Sequence, residues 1–226
     1  MASSSPSAFQ DIGKEEKRRF ILKAAAAAFG ARGFHAVTVR DIARRAGIAH
    51  GTFYLYFNDK KDVYRALSTQ FQAQIEEVIL PGEVAAGALL GPADLAALVR
   101  ERLTALARLF ESEEGLARVF VYRTPGTDPE FEEQRRRFVS HLTDAIATFL
   151  RAGVERGLIR PHEPWVAAMC LVGSVDMVIE SWLHTEGERT GPSLLEMMDQ
   201  AARFILPALL AVEGGSDASL DERGNR

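Results

Sequence analysis

The sequence predicts an all-α protein, with a small three-helix head followed by a larger helical body. Apolar residues recur at helical spacing through most of the chain, and no strand-like alternation exceeds a few residues. With 226 residues, 47% of them hydrophobic, the chain can bury a sizeable core. We expect a flexible tail (1–13), a head (14–62), a body (63–212) and a disordered tail (213–226).

The head contains a pattern typical of two short helices joined by a tight turn. Thr38, followed three residues later by Asp41, forms a capping-box pattern, so a helix should begin after Thr38. Ala43 provides the small residue that two closely approaching helices require, and Gly47 permits positive φ in the turn. The second helix of the pair is predicted over about 50–57.

Helix start and stop signals place the remaining helices. Gly33 and Gly157 suit helix ends, Asn58 suits the start of the fourth helix, and Asp128-Pro129 suits a cap and first helical position. The predicted helices cover 14–32, 59–80, 94–111, 113–123, 129–156, 163–186 and 193–212. The segments 81–92 and 124–129 should interrupt the helical pattern.

Charge is distributed unevenly between the two parts. Residues 1–62 contain eleven Lys and Arg against six Asp and Glu, whereas residues 63–226 contain sixteen against twenty-five. The head therefore carries +5 and the rest −9, an arrangement expected of a basic head that contacts phosphates.

The stretch at residues 46–60, AGIAHGTFYLYFNDK, carries the strongest signal. It resembles the DNA-binding signature of TetR-type transcriptional repressors, and the resemblance extends over about fifty residues from Lys14 to Tyr64. The resemblance implies a homodimer bound to double-stranded DNA. It also implies that Thr38, Tyr54, Tyr56 and Lys60 hold phosphates, while His50, Gly51 and Thr52 face bases.

Five further residues of the head bear on the predicted DNA binding. Arg40 and Arg44, on the outer side of the first helix of the pair, are candidates for additional backbone contacts. Lys60 stands beside the positive end of a helix dipole, so it should require an external anion such as a phosphate. Ala49 replaces the serine common in the family, so the recognition helix loses a side-chain cap. His50 stands where a longer basic or amide residue is common, so base preference at that position cannot be carried over from the family.

The last two predicted helices are apolar around much of their circumference. We expect them to form the dimer interface, although ordinary core helices would show the same pattern. A symmetric dimer would read a palindrome, with half-sites about 34–36 Å apart. Pro207 should kink the last helix or mark its final turn.

The resemblance further implies that the body binds a small apolar or amphipathic molecule that releases the DNA. Candidate pocket residues are Leu106, Phe110, Phe120, Tyr122, Phe138, Leu142, Met169 and Asp176. Gly173, Asp176, Glu180 and His184 share one face, which is a solvated or paired stripe, a site for a cationic or hydroxylated ligand, or a metal site. We interpret Arg135, Arg136 and Arg137 as surface charge. The alternative is that they contact the phosphates of coenzyme A, because some relatives bind acyl-coenzyme A thioesters.

Other classes of protein fit less well. A helical enzyme would have to use the acidic stripe alone, because no phosphate loop, nucleophile elbow or Cys/His pair is present, and no cofactor is expected. An interaction module without DNA binding would leave the basic head unexplained. The start lacks a secretory signal, no stretch appears apolar enough to span a membrane, and the single Cys170 suits a reducing compartment, so we expect a cytoplasmic protein.

Overall fold

The computed structural model describes residues 13–80, 91–121, 128–184 and 191–211, and all regular elements within these ranges are helices. The predicted all-α class is therefore confirmed. The helices are α1 (Lys14–Ala36), α2 (Val39–Arg45), α3 (His50–Phe53), α4 (Lys60–Ile79), α5 (Pro92–Ser112), α6 (Glu114–Val121), α7 (Pro129–Glu155), α8 (Pro164–His184) and α9 (Leu194–Leu209). The predicted tails, 1–13 and 213–226, fall outside the described residues except for Gly13.

Local signals in the sequence fix most helix ends. Gly33 interrupts α1 with φ of 75°, and Gly157 follows α7 with φ of 70°. The Asp128 side chain accepts a hydrogen bond from the Glu130 amide at 3.1 Å, which caps α7 as predicted. Pro207 lies in the final turn of α9.

The cap of α4 differs from the prediction. Asp59 caps the helix, because its side chain accepts a hydrogen bond from the Asp62 amide at 2.7 Å. Asn58 instead donates its own amide and side-chain N–H to the Asp62 carboxylate, at 3.1 and 3.2 Å. Asn58 thus braces the first turn of α4 from outside, and the predicted Asn58 cap is wrong.

The hydrophobic core is continuous from the head into the body. Buried residues of α1, α2 and α3, among them Phe29, Ile42 and Phe53, belong to the same packed cluster as Phe71 of α4 and Phe110 of α5. α4 leads from the head into the body, where α5 packs on α9 and α7 packs on α8. The predicted boundary between head and body at residue 62 therefore falls within one packed cluster.

α1 and α6 form the closest contact between the head and the body. A Cβ atom added at Gly30 would lie 2.7 Å from both the Cα and the carbonyl oxygen of Gly115. The two backbones thus touch directly, since real Cβ contacts are not that short. Glycine at position 30 is required by this approach.

Aromatic and charged contacts brace the same junction from the other side. Tyr64 stacks on Phe131 with ring centroids 3.9 Å apart, and Phe34 packs edge-on against both rings. Lys61 forms an ion pair with Asp128, which holds the pKa of that carboxyl below its usual value. The junction therefore joins the end of α1 and the start of α4 to the start of α7.

Candidate nucleic-acid interface and internal cavity

The capping box at the start of α2 is complete. The Thr38 hydroxyl accepts a hydrogen bond from the Asp41 amide at 3.2 Å, and the Asp41 carboxylate accepts from the Thr38 amide at 3.0 Å. The Thr38 hydroxyl also donates a hydrogen bond to the Asp41 carboxylate at 2.7 Å. This bond, then the bond from the Thr38 amide and a smaller contribution from Arg32, lower the pKa of Asp41 to about 2. The stabilisation is present above the ordinary pKa near 3.8 and is lost as the pH falls towards about 2.

The turn after α2 matches the sequence prediction. Gly47 adopts φ of 67°, Ala43 is buried, and the Ile48 amide donates a hydrogen bond to the Ala43 carbonyl at 3.0 Å. Positive φ is costly for residues with a Cβ atom, so glycine fits this position. The helix-turn-helix is therefore confirmed as a structural unit.

α3 is shorter than predicted. It spans His50–Phe53 and continues as a turn through residues 54–56, so the prediction that it extends to residue 57 is wrong. Ala49 offers no side-chain cap at its start. Phe53 and Phe57 are nonetheless both buried, because the turn still places them on the same side.

The outward surface of this unit contains most of the predicted DNA contacts. Thr38, Arg40, Arg44, His50, Gly51 and Tyr54 are exposed, whereas Thr52, Tyr56 and Lys60 are half-buried. Arg44 remains 74% exposed although it pairs with Asp41. Leu55, which the sequence analysis did not select, is 72% exposed beside Tyr54. Because Leu55 lies between Phe53 and Phe57, which both point inward, the sequence already indicated that its side chain faces outward.

Lys60 is engaged inside the head. Its ammonium donates hydrogen bonds to the carbonyls of Phe34 and Val37 at 2.9 Å and of His35 at 3.3 Å, and it lies 4.4 Å from the Phe34 ring centroid. Burial lowers the pKa of Lys60 from its ordinary value. These carbonyls replace the external anion that the helix-dipole argument required. An ammonium has three N–H donors, so a phosphate contact would compete with these bonds.

Replacing Lys60 by methionine is expected to destabilise the head, because three carbonyls lose their donor. We expect a loss of about 1–3 kcal/mol, or roughly 3–10 °C in the thermal midpoint of a chain this long. Circular dichroism melting would measure it. Lys61→Met is the matched control and should have a smaller effect, because the Lys61 side chain is 46% exposed. An unchanged midpoint together with weak DNA binding would instead support the phosphate contact.

The body encloses a cavity of about 190 Å³. Six predicted pocket residues line it, namely Leu106, Phe110, Phe120, Phe138, Leu142 and Asp176. Met169 does not: it lies on the outer side of α8 and is 47% exposed, so its assignment to the pocket is corrected. Tyr122 lies outside the described residues. The cavity walls are otherwise aliphatic and aromatic, apart from Arg102 and Arg135.

The acidic stripe of α8 is partly paired. Asp176 accepts hydrogen bonds from Arg135 Nη2 through both carboxylate oxygens, at 2.7 and 2.8 Å. Arg135 is therefore a cavity residue, and its interpretation as surface charge is wrong, whereas Arg136 and Arg137 are exposed and pair with Glu133. The His184 ring contacts the Glu180 carbonyl. Across the described ranges, no group of His, Cys, Asp and Glu side chains is arranged to hold a metal ion.

α8 and α9 expose a large apolar surface. Trp165, Val166, Met169 and Met177 of α8 are about half exposed or more, and Phe204 of α9 is 85% exposed. α8 also has the length and hydropathy of a membrane span, so the expectation that no stretch would reach them is wrong. Only 22% of its most apolar window is buried within the protomer, and an exposed apolar surface of this kind is typical of an interaction site.

Comparisons with known proteins bear on both the helix-turn-helix and the whole chain. Residues 21–67 match the family model described as "Bacterial regulatory proteins, tetR family". The uncharacterised HTH-type transcriptional regulator YdgC of Bacillus subtilis is 26% identical over 170 residues, covering 75% of this chain and 83% of YdgC. Residues 21–67 thus match the DNA-binding region of TetR-family regulators. The resemblance drawn from residues 46–60 is thereby confirmed.

Two further similarities extend into the helical body. The fatty acid metabolism regulator protein of B. subtilis is 25% identical over 178 residues, covering 76% of this chain and 87% of the relative. The crystal structure of FadR from B. subtilis in complex with stearoyl-CoA matches with a TM-score of 0.67 at 20% identity, covering 84% of this chain and 98% of FadR. That structural likeness establishes the shared fold. The relatives are transcriptional regulators, in agreement with the prediction that the chain is not an enzyme.

Proposed function

We propose that this TetR-family regulator represses transcription as a cytoplasmic homodimer that binds a palindromic operator and is released by a small apolar or amphipathic effector. The observation that carries the proposal is an apolar cavity in the same molecule as an exposed helix-turn-helix. At about 190 Å³ the cavity exceeds the roughly 150 Å³ that suffices to hold benzene in an engineered core. An effector buried there would act on the body and not on the DNA surface.

The proposed DNA contacts divide by chemistry. Arg40, Arg44 and Tyr54 are exposed and suit phosphates, and Thr38 contributes at the start of α2. His50 and Gly51 lie at the start of α3, where a short helix reaches base edges. Thr52 and Tyr56 remain in the proposed surface as half-buried members. Lys60 has the weakest support as a phosphate contact, because its ammonium is bound to carbonyls.

Dimerisation through α8 and α9 is supported by the exposed apolar face that they share. One α3 offers too few base contacts for a genomic search, since specific sites must be bound about 10³–10⁷ times more tightly than non-specific DNA. Two copies related by a two-fold axis double these contacts and select a palindrome. The dimer is therefore part of the proposed DNA-binding mechanism.

A second candidate is a regulator of lipid metabolism that responds to acyl-coenzyme A. It is favoured by the aliphatic walls of the cavity and by the similarity to the fatty acid metabolism regulator and to FadR, which was crystallised with stearoyl-CoA. It differs from the general proposal only in the chemistry of the effector.

The proposal is tested by selecting bound duplexes from a random library with the purified full-length protein at low salt. We expect a palindrome, weaker binding on all sequences for Tyr54→Ala, and an altered base preference for His50→Ala. Stearoyl-CoA should then release the wild-type protein from the selected duplex if the acyl reading is right. Failure to enrich any palindrome would contradict operator binding as a dimer. An unaltered site profile for His50→Ala would remove that residue from base recognition.

A further inference from the structure

The cavity wall contains three polar residues among those that the structure describes, namely Arg102, Arg135 and Asp176. All other lining residues are Ala, Val, Ile, Leu or Phe. Charged groups beside an apolar cavity are costly unless they are paired, so the partners of the two arginines decide what the cavity can accept.

Arg135 is neutralised within the protein. Its Nη2 contacts both oxygens of Asp176, and the side chains of the pair are only 17% and 29% exposed. A second anion placed at Arg135 would have to approach Asp176 as well and would meet its negative charge. Arg135 is therefore a poor receptor for the charged end of a ligand.

Arg102 differs in its partners. Its Nη1 donates to the carbonyl of Val78 at 3.1 Å. Its Nε is buried without a hydrogen-bond partner, as is the Nε of Arg135, so the two arginines differ in the carboxylate that only Arg135 has beside it. Within the described ranges no carboxylate lies within ion-pair distance of the Arg102 guanidinium. Val78 lies in the last turn of α4, whose C-terminus supplies roughly half a negative charge. The positive charge of Arg102 is thus only partly offset.

We propose that Arg102 binds the anionic head of a single-chain amphiphile whose tail fills the apolar cavity. The inference rests on the proposed function and specifies the effector class. A carboxylate or phosphate oxygen would satisfy the Arg102 Nε and neutralise the guanidinium, and an apolar chain would pack against walls such as Leu98, Leu106 and Phe149. A free fatty acid and the phosphates of a coenzyme A thioester both supply this chemistry.

Binding of three probes to the full-length protein tests the proposal by isothermal titration calorimetry. The probes are dodecanoate, its uncharged methyl ester and dodecanoyl-CoA, which share one chain and differ in head group. Wild type should bind at least one anionic probe about 10- to 100-fold more tightly than the ester, the range of a charge-assisted hydrogen bond. A preference for dodecanoate identifies the carboxylate as the head, and a preference confined to dodecanoyl-CoA identifies the phosphates.

Variants of Arg102 test whether the preference for an anionic head group depends on this side chain. Arg102→Met should bring the anionic probes within about threefold of the ester while leaving ester affinity unchanged, which also shows that the cavity is intact. Arg102→Lys should retain most of the preference. Arg108→Met is the matched control, because Arg108 is an exposed arginine of the same helix that does not line the cavity.

Two outcomes would contradict the inference, and only the second would also contradict the proposed function. Equal binding of ester and anionic probes by wild type, or a preference that survives in Arg102→Met, would refute the role of Arg102. Release of operator DNA by the ester would then still support an apolar effector. If no probe binds and none releases the DNA, the amphiphilic effector of the proposed function fails as well.

Discussion

Replacing Phe204 by glutamate is expected to dissociate the proposed homodimer and abolish tight binding to an operator with two half-sites. Phe204 is 85% exposed in the protomer, and burying a phenylalanine contributes about 1.5–3 kcal/mol. A two-fold axis makes the loss occur twice, which corresponds to a roughly 10²- to 10⁴-fold rise in the dissociation constant. A buried glutamate adds a further cost. Analytical ultracentrifugation would measure the dimer, and fluorescence anisotropy the operator affinity.

Ala152→Glu provides the matched control for this substitution. Ala152 is exposed on α7, so the same charge is added outside the surface formed by α8 and α9. This variant should sediment and bind DNA like wild type. If Phe204→Glu also sediments as a dimer while retaining its helical circular dichroism, α9 does not form the interface and the proposed dimer is wrong.

Replacing Gly30 by alanine should destabilise the protein and weaken operator binding, because the added methyl group meets the Gly115 backbone at 2.7 Å. Neither helix backbone can yield locally, so α1 and α6 must move apart at an overpacking cost of about 1–3 kcal/mol. We expect the thermal midpoint to fall by roughly 3–10 °C. The head would also shift relative to the body, so the two reading helices would no longer match the half-site spacing.

Gly115→Ala adds a methyl group to the other helix of the same contact, and we expect it to cause no loss of stability. A Cβ at Gly115 would lie 3.7 Å from the Ala26 carbonyl, which is ordinary van der Waals contact. The helix then gains up to about 1 kcal/mol from the loss of glycine. The thermal midpoint should stay constant or rise. A fall of similar size in both variants would mean that the two glycines are not distinguished by this backbone approach.

Features with short-range causes could be predicted from the sequence. Thr38 and Asp41 cap α2 across three residues, Asp128 caps α7 across two, and Gly33 takes the positive φ that ends the regular part of α1. Each depends on neighbours that are visible in the sequence. The TetR-type signature predicted the helix-turn-helix for the same reason, because its residue spacing includes the turn at Gly47.

Features that depend on distant partners could not be predicted. Lys60 bonds to carbonyls 23 to 26 residues earlier, and Arg135 pairs with a carboxylate 41 residues later. Periodicity also misplaced Met169, because α8 is apolar on both its cavity side and its exposed side. The end of α3 was predicted wrongly, because Phe57 is buried after a turn just as it would be in a helix.

The hydrogen bonds of the Lys60 ammonium bear on how DNA binding depends on salt concentration. Each protein cation that neutralises a phosphate releases condensed counterions, and the logarithm of the binding constant falls with that of salt concentration by about 0.9 per phosphate. A lysine bonded to the carbonyls of Phe34, His35 and Val37 neutralises no phosphate and releases no counterion. We therefore expect the salt dependence of operator binding to reflect the exposed Arg40 and Arg44 of α2 and not Lys60.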